Sequence, residues 1–281
     1  MRVFQIIKLV LDDEYGSIPG NTAAKDAAVV SELGILQTAY SRLASPTAAS
    51  PSYGVAACRF AYIYKYTTCH ANIVAEKVAG VPAIGALFTG TGWVDVACVG
   101  GGPGSDFLGI IKHMIRTGST RSLKTYLLDK EPGWGDSWSD VERKAPGLGF
   151  HVSTHAQVLD VLDPSTWSIQ TKYRQADLFT FVFFISEIWR FWAQAEAYFV
   201  DLFSSAKAGS LFLFIDNNDT RFHGSFDTAA AKAGLVRLAG REEQFQVEYA
   251  EEKRDLEPYF SQFNHNPKIG SNIAWRVFQK P

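Results

Sequence analysis

From Trp93 onward, short apolar runs rich in β-forming residues alternate with helix-length segments, and this alternation restricts the fold more than any other feature of the chain. WVDVACVG precedes the helical stretch Asp106 to Arg116, LKTYLLD precedes a segment bearing tryptophans, and GFHVSTHA comes next. LFTFVFFIS precedes Glu187 to Lys207, and SLFLFID precedes Phe226 to Lys232. Runs this apolar are buried on both faces, so they predict an α/β fold, a doubly wound and mostly parallel sheet covered by helices. The closing runs FQVEYAEEK and NIAWRVFQK read as two strands with no helix between them, which predicts an antiparallel end to the sheet. Such a sheet binds its ligand at the carboxyl ends of the strands, near the point where strand order reverses.

The first 90 residues have another texture. Asn21 to Leu43 carries Val29, Val30, Leu33, Leu36 and Tyr40 at helical period, and Val55 to Val78 reads as a second long helix. The polar, proline-bearing break between them, Ser45-Pro46-Thr47 to Ser50-Pro51-Ser52, is short enough for an interhelical turn. The chain is therefore expected to divide into a helical extension over 1–90 and an α/β domain over 91–281.

Composition narrows the class of function. Hydrophobic residues make up 47% and charged residues 20%, enough for a sizeable core. A formal net charge of −2 disfavours a strongly basic nucleic-acid platform, though not a local basic patch. The opening MRVFQIIKLVLDDE is interrupted by Lys8 and has no small-residue cleavage site. The apolar stretch Phe179 to Ile185 falls far short of the ~20 residues that cross a bilayer, so no membrane partner is expected. Cys58, Cys69 and Cys98 form no CxxC pair, as expected of reduced, buried thiols in a cytoplasmic or nuclear protein. The histidines are scattered, and no metal site is expected.

VDVACVGGGPGSDFLGIIKHMI reads as strand, glycine turn and helix, with Ser105 or Asp106 placed to cap the helix. Gly100, Gly102 and Gly104 let the backbone turn sharply and approach a ligand with no Cβ in the way. A dinucleotide fingerprint would need glycine or alanine where Ser105 stands, and Asp106 at the helix start would repel a pyrophosphate. No GK[ST] follows, which excludes a Walker loop. The turn Gly100-Gly101-Gly102-Pro103-Gly104 suits a nucleoside without phosphates.

This segment resembles motif I of the class I, Rossmann-like S-adenosyl-L-methionine-dependent methyltransferases, and the strand order downstream is similar to theirs. The resemblance covers Trp93 to Lys280 and implies a seven-stranded sheet whose last strand is antiparallel. It implies that the glycine turn, Gly100, Gly101, Gly102 and Gly104, holds the donor, and that Asp129 at the end of YLLD clamps the ribose hydroxyls. It implies adenine contacts from Asp160, with Asp163 as competitor, and from Val161. Ser186 and Glu187, after FTFVFFI, would face donor and acceptor, although both also suit the start of a helix. Many members of the family carry an acid two residues before the first glycine; here Cys98 stands there. Loop carbonyls or Asp106 would then meet the methionine ammonium group.

The segments FFISEIW and AGSLFLFIDNND, with the tyrosine-rich FAYIYKYTTCHANIV, look like the fungal 25S ribosomal RNA uracil-N3 methyltransferases and their uncharacterised animal relatives. That narrower resemblance implies an RNA base as methyl acceptor, a small molecule being the other class. In the aromatic helix Tyr62 and Tyr66 share one face, while Phe60 and Tyr64 share another. Core packing accounts for them; alternatively Tyr62, Tyr66 and His70 line the mouth of the donor site, where rings attract a sulfonium or stack a base. Trp134 is expected to cover the adenosine and Trp138 to be structural. An acceptor that is protonated at working pH needs a general base, with Glu187 and His70 as candidates. The alternative is a nucleoside-binding scaffold of the same fold without catalysis, which Cys98 motivates.

Overall fold

A computed structural model describes residues 3–42, 51–139, 144–145, 147–247 and 250–281, with backbone only at 250–254. Seven strands form one sheet: β1 Trp93–Val99, β2 Ser122–Asp129, β3 Val152–Val158, β4 Leu178–Val182, β5 Leu211–Asn217, β6 Val236–Gln246 and β7 Gly270–Gln279. Their order is β3-β2-β1-β4-β5-β7-β6. Strands β1 to β5 pair in parallel, and β7 runs antiparallel to both β5 and β6. This is the doubly wound, Rossmann-like sheet that the alternation predicts. Its order reverses between β1 and β4, so a crevice opens beyond their carboxyl ends.

Period-two alternation buries both faces. In β1, Val96 and Cys98 join the cluster formed with the preceding helices, whereas Ala97 and Val99 join the cluster on the opposite face. In β4, Leu178 and Val182 point one way and Phe179 and Phe181 the other. The second face is unusually rich in phenylalanine, with Phe179, Phe181, Phe199, Phe203, Phe212 and Phe226 among its fully buried residues.

Six helices precede or follow β1 on the first face: α1 Val3–Ser17, α2 Thr22–Tyr40, α3 Ala56–Tyr62, α4 Thr68–Gly80, α5 Pro82–Leu87 and α6 Ser105–Thr117. Asn21 caps α2 by accepting the Ala24 N–H at 3.0 Å. A π-helical turn, Ile63–Thr67, joins α3 to α4 without a break. The remaining helices are α7 Gly133–Trp138, α8 Ile185–Ile188, α9 Trp192–Ser205, α10 Thr220–Lys232 and α11 Ala250–Phe263. No described helix is long and apolar enough to cross a membrane.

Two elements differ from the sequence reading. The opening run, read only as a short apolar stretch, is helix α1: Phe4, Ile7, Val10, Leu11 and Glu14 recur at helical spacing and are buried. Lys8 interrupts nothing, because it sits on the outer face and pairs with Asp12 at 2.7 Å. The run FQVEYAEEK, read as the first closing strand, is strand only at Phe245 and Gln246, where β6 ends, and is helical from Ala250, where α11 begins, so a helix separates β6 from β7. Leu256, Tyr259 and Phe263 lie on one side of α11 and pack with Phe60 of α3, so tertiary burial decides this segment. Of the proline-bearing break, residues 45–50 lie outside the described residues.

Candidate functional site

The glycine turn follows β1 directly. Gly100 and Gly104 have φ values of 69° and 76°, a left-handed conformation that glycine adopts without strain. The turn is held by its own backbone: Gly100 N–H donates to Leu128 O at 2.8 Å, and Gly104 N–H to Gly101 O at 2.9 Å. Trp138 Nε1 donates to Gly102 O at 2.7 Å, which gives Trp138 the structural role expected of it. Neither Ser105 nor Asp106 caps α6; Gly104 occupies the N-cap with no side-chain bond. Asp106 turns inward, is 2% exposed and accepts from the Thr180 hydroxyl. Burial pushes its pKa up to about 7.

Beyond this turn lies a cleft of about 320 Å³ at the carboxyl ends of β1, β2 and β4. Asp129, the last residue of β2, lines it. Its Oδ2 accepts the Gly102 N–H at 3.2 Å and its Oδ1 the Glu131 N–H at 3.0 Å. Each carboxylate oxygen keeps a lone pair for a further donor. Burial raises Asp129 to about 6, against the pull of those two backbone bonds. Asp160 and Val161 line the same cleft, with Asp160 Oδ1 accepting the Leu162 N–H at 2.9 Å. Asp163 is exposed and caps a short 3-10 turn through Ser165 N–H at 3.0 Å, so the two competing acids have different surroundings.

Glu187 lines the cleft from α8. Burial, with Asp129 and Asp216 nearby, raises its pKa to about 8, while the Tyr40 hydroxyl bonded to it pulls the other way. Its neighbour Ser186 does not line the cleft: its N–H donates to Asp216 Oδ2 at 2.9 Å, tying the end of β4 to β5. Asp216 is raised to about 6 by the same burial.

The aromatic helix divides as its faces suggest. Phe60 and Tyr64 pack on Tyr259 and Phe263 in the core. Tyr62 lines the cleft; Tyr66 and His70 do not. Tyr66 lies beside Tyr40 and Tyr62, with centroids 4.9 Å and 5.1 Å away. His70 is 3% exposed, and neither ring nitrogen has a hydrogen-bond partner among the described residues. Burial and Lys268 hold it well below the usual histidine range. Phe183, which does line the cleft, stacks on it at 3.7 Å with a φ of 53°.

Trp134 lines the cleft and covers the glycine turn. A Cβ on Gly100 would fall 2.1 Å from the Phe184 ring, and one on Gly101 2.4 Å from Cys98 Cβ. Cleft residues the sequence reading did not single out as site residues include Tyr40, Tyr53, Lys130, Phe183, Phe184 and Arg190. Tyr40 carried a signal as the last member of the apolar stripe of α2, where it reads as core. Among the described residues, no group of three or more His, Cys, Asp or Glu could hold a metal ion.

No family model and no curated protein matches the chain. Among solved structures it is similar to a candidate methyltransferase from Thermoplasma acidophilum, at 13% identity and TM-score 0.40, covering 68% of this chain and 70% of that one. A candidate methyltransferase from Bacillus halodurans matches at 12% identity and TM-score 0.41, covering 71% and 97%. A candidate RNA methyltransferase from Pyrococcus horikoshii matches at 12% and 0.41, covering 75% and 83%. Likenesses this distant decide nothing about activity, and the fold stands on its own topology.

Proposed function

We propose that the protein transfers the methyl group of S-adenosyl-L-methionine to a nitrogen or oxygen acceptor that carries a removable proton. The observation that carries this reading is Asp129, locked by the Gly102 and Glu131 N–H groups beside the glycine turn, in one cleft with Glu187. The residues present fit the donor. Asp129 has lone pairs for the ribose hydroxyls, Asp160 an oxygen for the adenine amino group, and Trp134 a buried Nε1 with no partner among the described residues. Asp129, Asp160 and Glu187 share the cleft with Lys130 and Arg190, so acceptor and donor groups of both signs line it. The donor supplies a methyl group already activated by its sulfonium, so the chain's task is alignment and proton removal.

In this reading Gly100, Gly101, Gly102 and Gly104 shape the donor seat, Val161 packs beside the adenine, and Tyr62 and Trp134 close the cleft with their rings. Asp106 and Ser186 support its floor through Thr180 and Asp216. Glu187 takes the acceptor's proton. A uracil-type imide of RNA fits these demands, being flat for the rings and protonated at N3. Residues 1–90 serve as a helical extension over the domain formed by 91–281.

Titration calorimetry with S-adenosylmethionine and its demethylated product tests the donor, and transfer of labelled methyl into RNA, protein and small-molecule fractions of cell extract tests the acceptor. Binding of neither nucleoside would remove the reading. Label in small molecules alone would remove the RNA assignment. The other reading, a non-catalytic scaffold, draws on Cys98, which is fully buried where many class I methyltransferases have an acid; donor binding with no transfer to any fraction would favour it.

A further inference from the structure

We propose that Tyr40, backed by Tyr53, is a positioning residue that brings the helical extension into the chemistry by orienting the Glu187 carboxylate and keeping it available as a base. The role rests on the reading of Glu187 given above. Tyr40 is the last residue of α2 and sits far from Glu187 in sequence, yet its hydroxyl donates to Glu187 Oε1. The same hydroxyl lies 2.7 Å from the Tyr53 hydroxyl.

Proton counting fixes the direction of this chain. A hydroxyl has one proton; when Tyr40 gives its proton to the carboxylate, Tyr53 must donate to Tyr40. Both tyrosines are held well above their ordinary pKa by burial and by the Glu187 charge, so both remain donors. The array is also fixed from behind. Arg59 donates to the carbonyls of Tyr53 and Gly54 at 3.0 Å and 3.2 Å, and its Nε meets Glu14 of α1 at 3.3 Å. Ser137 of α7 donates to the same glutamate. The turn carrying Tyr53 is thus tied to α1, α3 and α7 before it meets Tyr40. The Tyr62 and Tyr66 rings hold the Tyr40 ring from the side, at 5.8 Å and 4.9 Å.

The other groups around Glu187 do not substitute for this donor. Asp129 and Asp216 oppose its ionisation; Lys130 favours it as a nearby charge. Tyr62 and Tyr66 sense the Glu187 charge, and Asp160 and Arg190 share the cleft. Without the Tyr40 bond, burial and two like charges would hold Glu187 protonated over more of the pH range, and its orientation would be lost.

The test is a direct titration of Glu187 by carbon NMR in full-length protein labelled at the glutamate carboxyl carbons, with Glu187→Gln assigning the resonance. Tyr40→Phe is expected to raise the Glu187 midpoint by about one to two pH units, the worth of a hydrogen bond to a charged group. Tyr53→Phe, which leaves Tyr40 in place, should raise it less and in the same direction. With an acceptor in hand, the acid limb of the kcat/KM profile should move with the midpoint while donor affinity stays within about twofold. A purely structural tyrosine would lower the melting temperature and leave the midpoint unmoved. Equal midpoints in wild type and either variant, with both binding S-adenosylmethionine, would overturn the role of the tyrosine pair. Failure of the wild type to bind S-adenosylmethionine would instead overturn the reading of the cleft.

Discussion

Trp134 lies on Gly102 so closely that a Cβ at position 102 would fall 2.1 Å from Trp134 Cδ1 and 2.5 Å from Asp129 Oδ2. Position 102 is therefore reserved for glycine by its neighbours. Gly102→Ala must displace either the indole or the carboxylate, and both face the proposed donor seat. We expect donor affinity to fall at least about tenfold, with a change in tryptophan emission reporting the displaced ring. Gly224→Ala is the control, since no atom of the described residues lies within 4 Å of a Cβ there. Equal donor affinity in Gly102→Ala and wild type would show that the seat lies elsewhere.

Asp129 is held from two sides by backbone N–H groups, so its replacement by asparagine has a defined consequence. The amide keeps one acceptor oxygen and presents an NH2 to whichever of Gly102 or Glu131 loses its partner. Asp129→Asn should weaken S-adenosylmethionine binding on the order of ten- to a hundredfold, as expected for a charge-assisted hydrogen bond. The exposed neighbour Asp136, changed to asparagine, should leave binding unaffected. Calorimetry on the two proteins, each checked for fold by circular dichroism, decides the point.

Strands β1, β4 and β5 were legible because they are bounded by turns and buried on both faces, leaving no competing period in WVDVACVG or LFTFVFFIS; β6 was not, because none of its residues is buried. The glycine turn and Asp129 were legible because their spacing is local. Helix α11 was not, because FQVEYAEEK has strand-like residues at its start, while the packing of Tyr259 and Phe263 on Phe60 and Tyr64 lies further along the chain. Tyr40 illustrates the same limit within the site. Its place on the stripe with Val29, Leu33 and Leu36 reads as packing, whereas its hydroxyl finds Glu187 through the return of the chain. His70 shows the converse: position alone made it a candidate base, yet the fold buries it against Phe183 with no hydrogen-bond partner among the described residues.

Four carboxylates at and beneath the cleft, Asp106, Asp129, Glu187 and Asp216, have pKa values raised by desolvation, Glu187 from 4.5 to about 8. A carboxyl whose folded pKa exceeds its unfolded value holds its proton more tightly in the native state. Its contribution to stability is complete below the unfolded pKa and is lost as pH rises through the folded one. For Glu187 that window runs from 4.5 to about 8. Glu187→Gln cannot ionise and keeps a carbonyl to accept from Tyr40, so it escapes this loss. At pH 5 the variant and wild type should melt together; at pH 9 the variant should melt higher by roughly 3 °C or more. S-adenosylmethionine should narrow the gap at pH 9, because a bound sulfonium stabilises the ionised carboxylate. Melting curves that stay parallel from pH 5 to pH 9 would show that Glu187 ionises no differently in the folded chain than in the unfolded one, and would remove it as a base tuned by its surroundings.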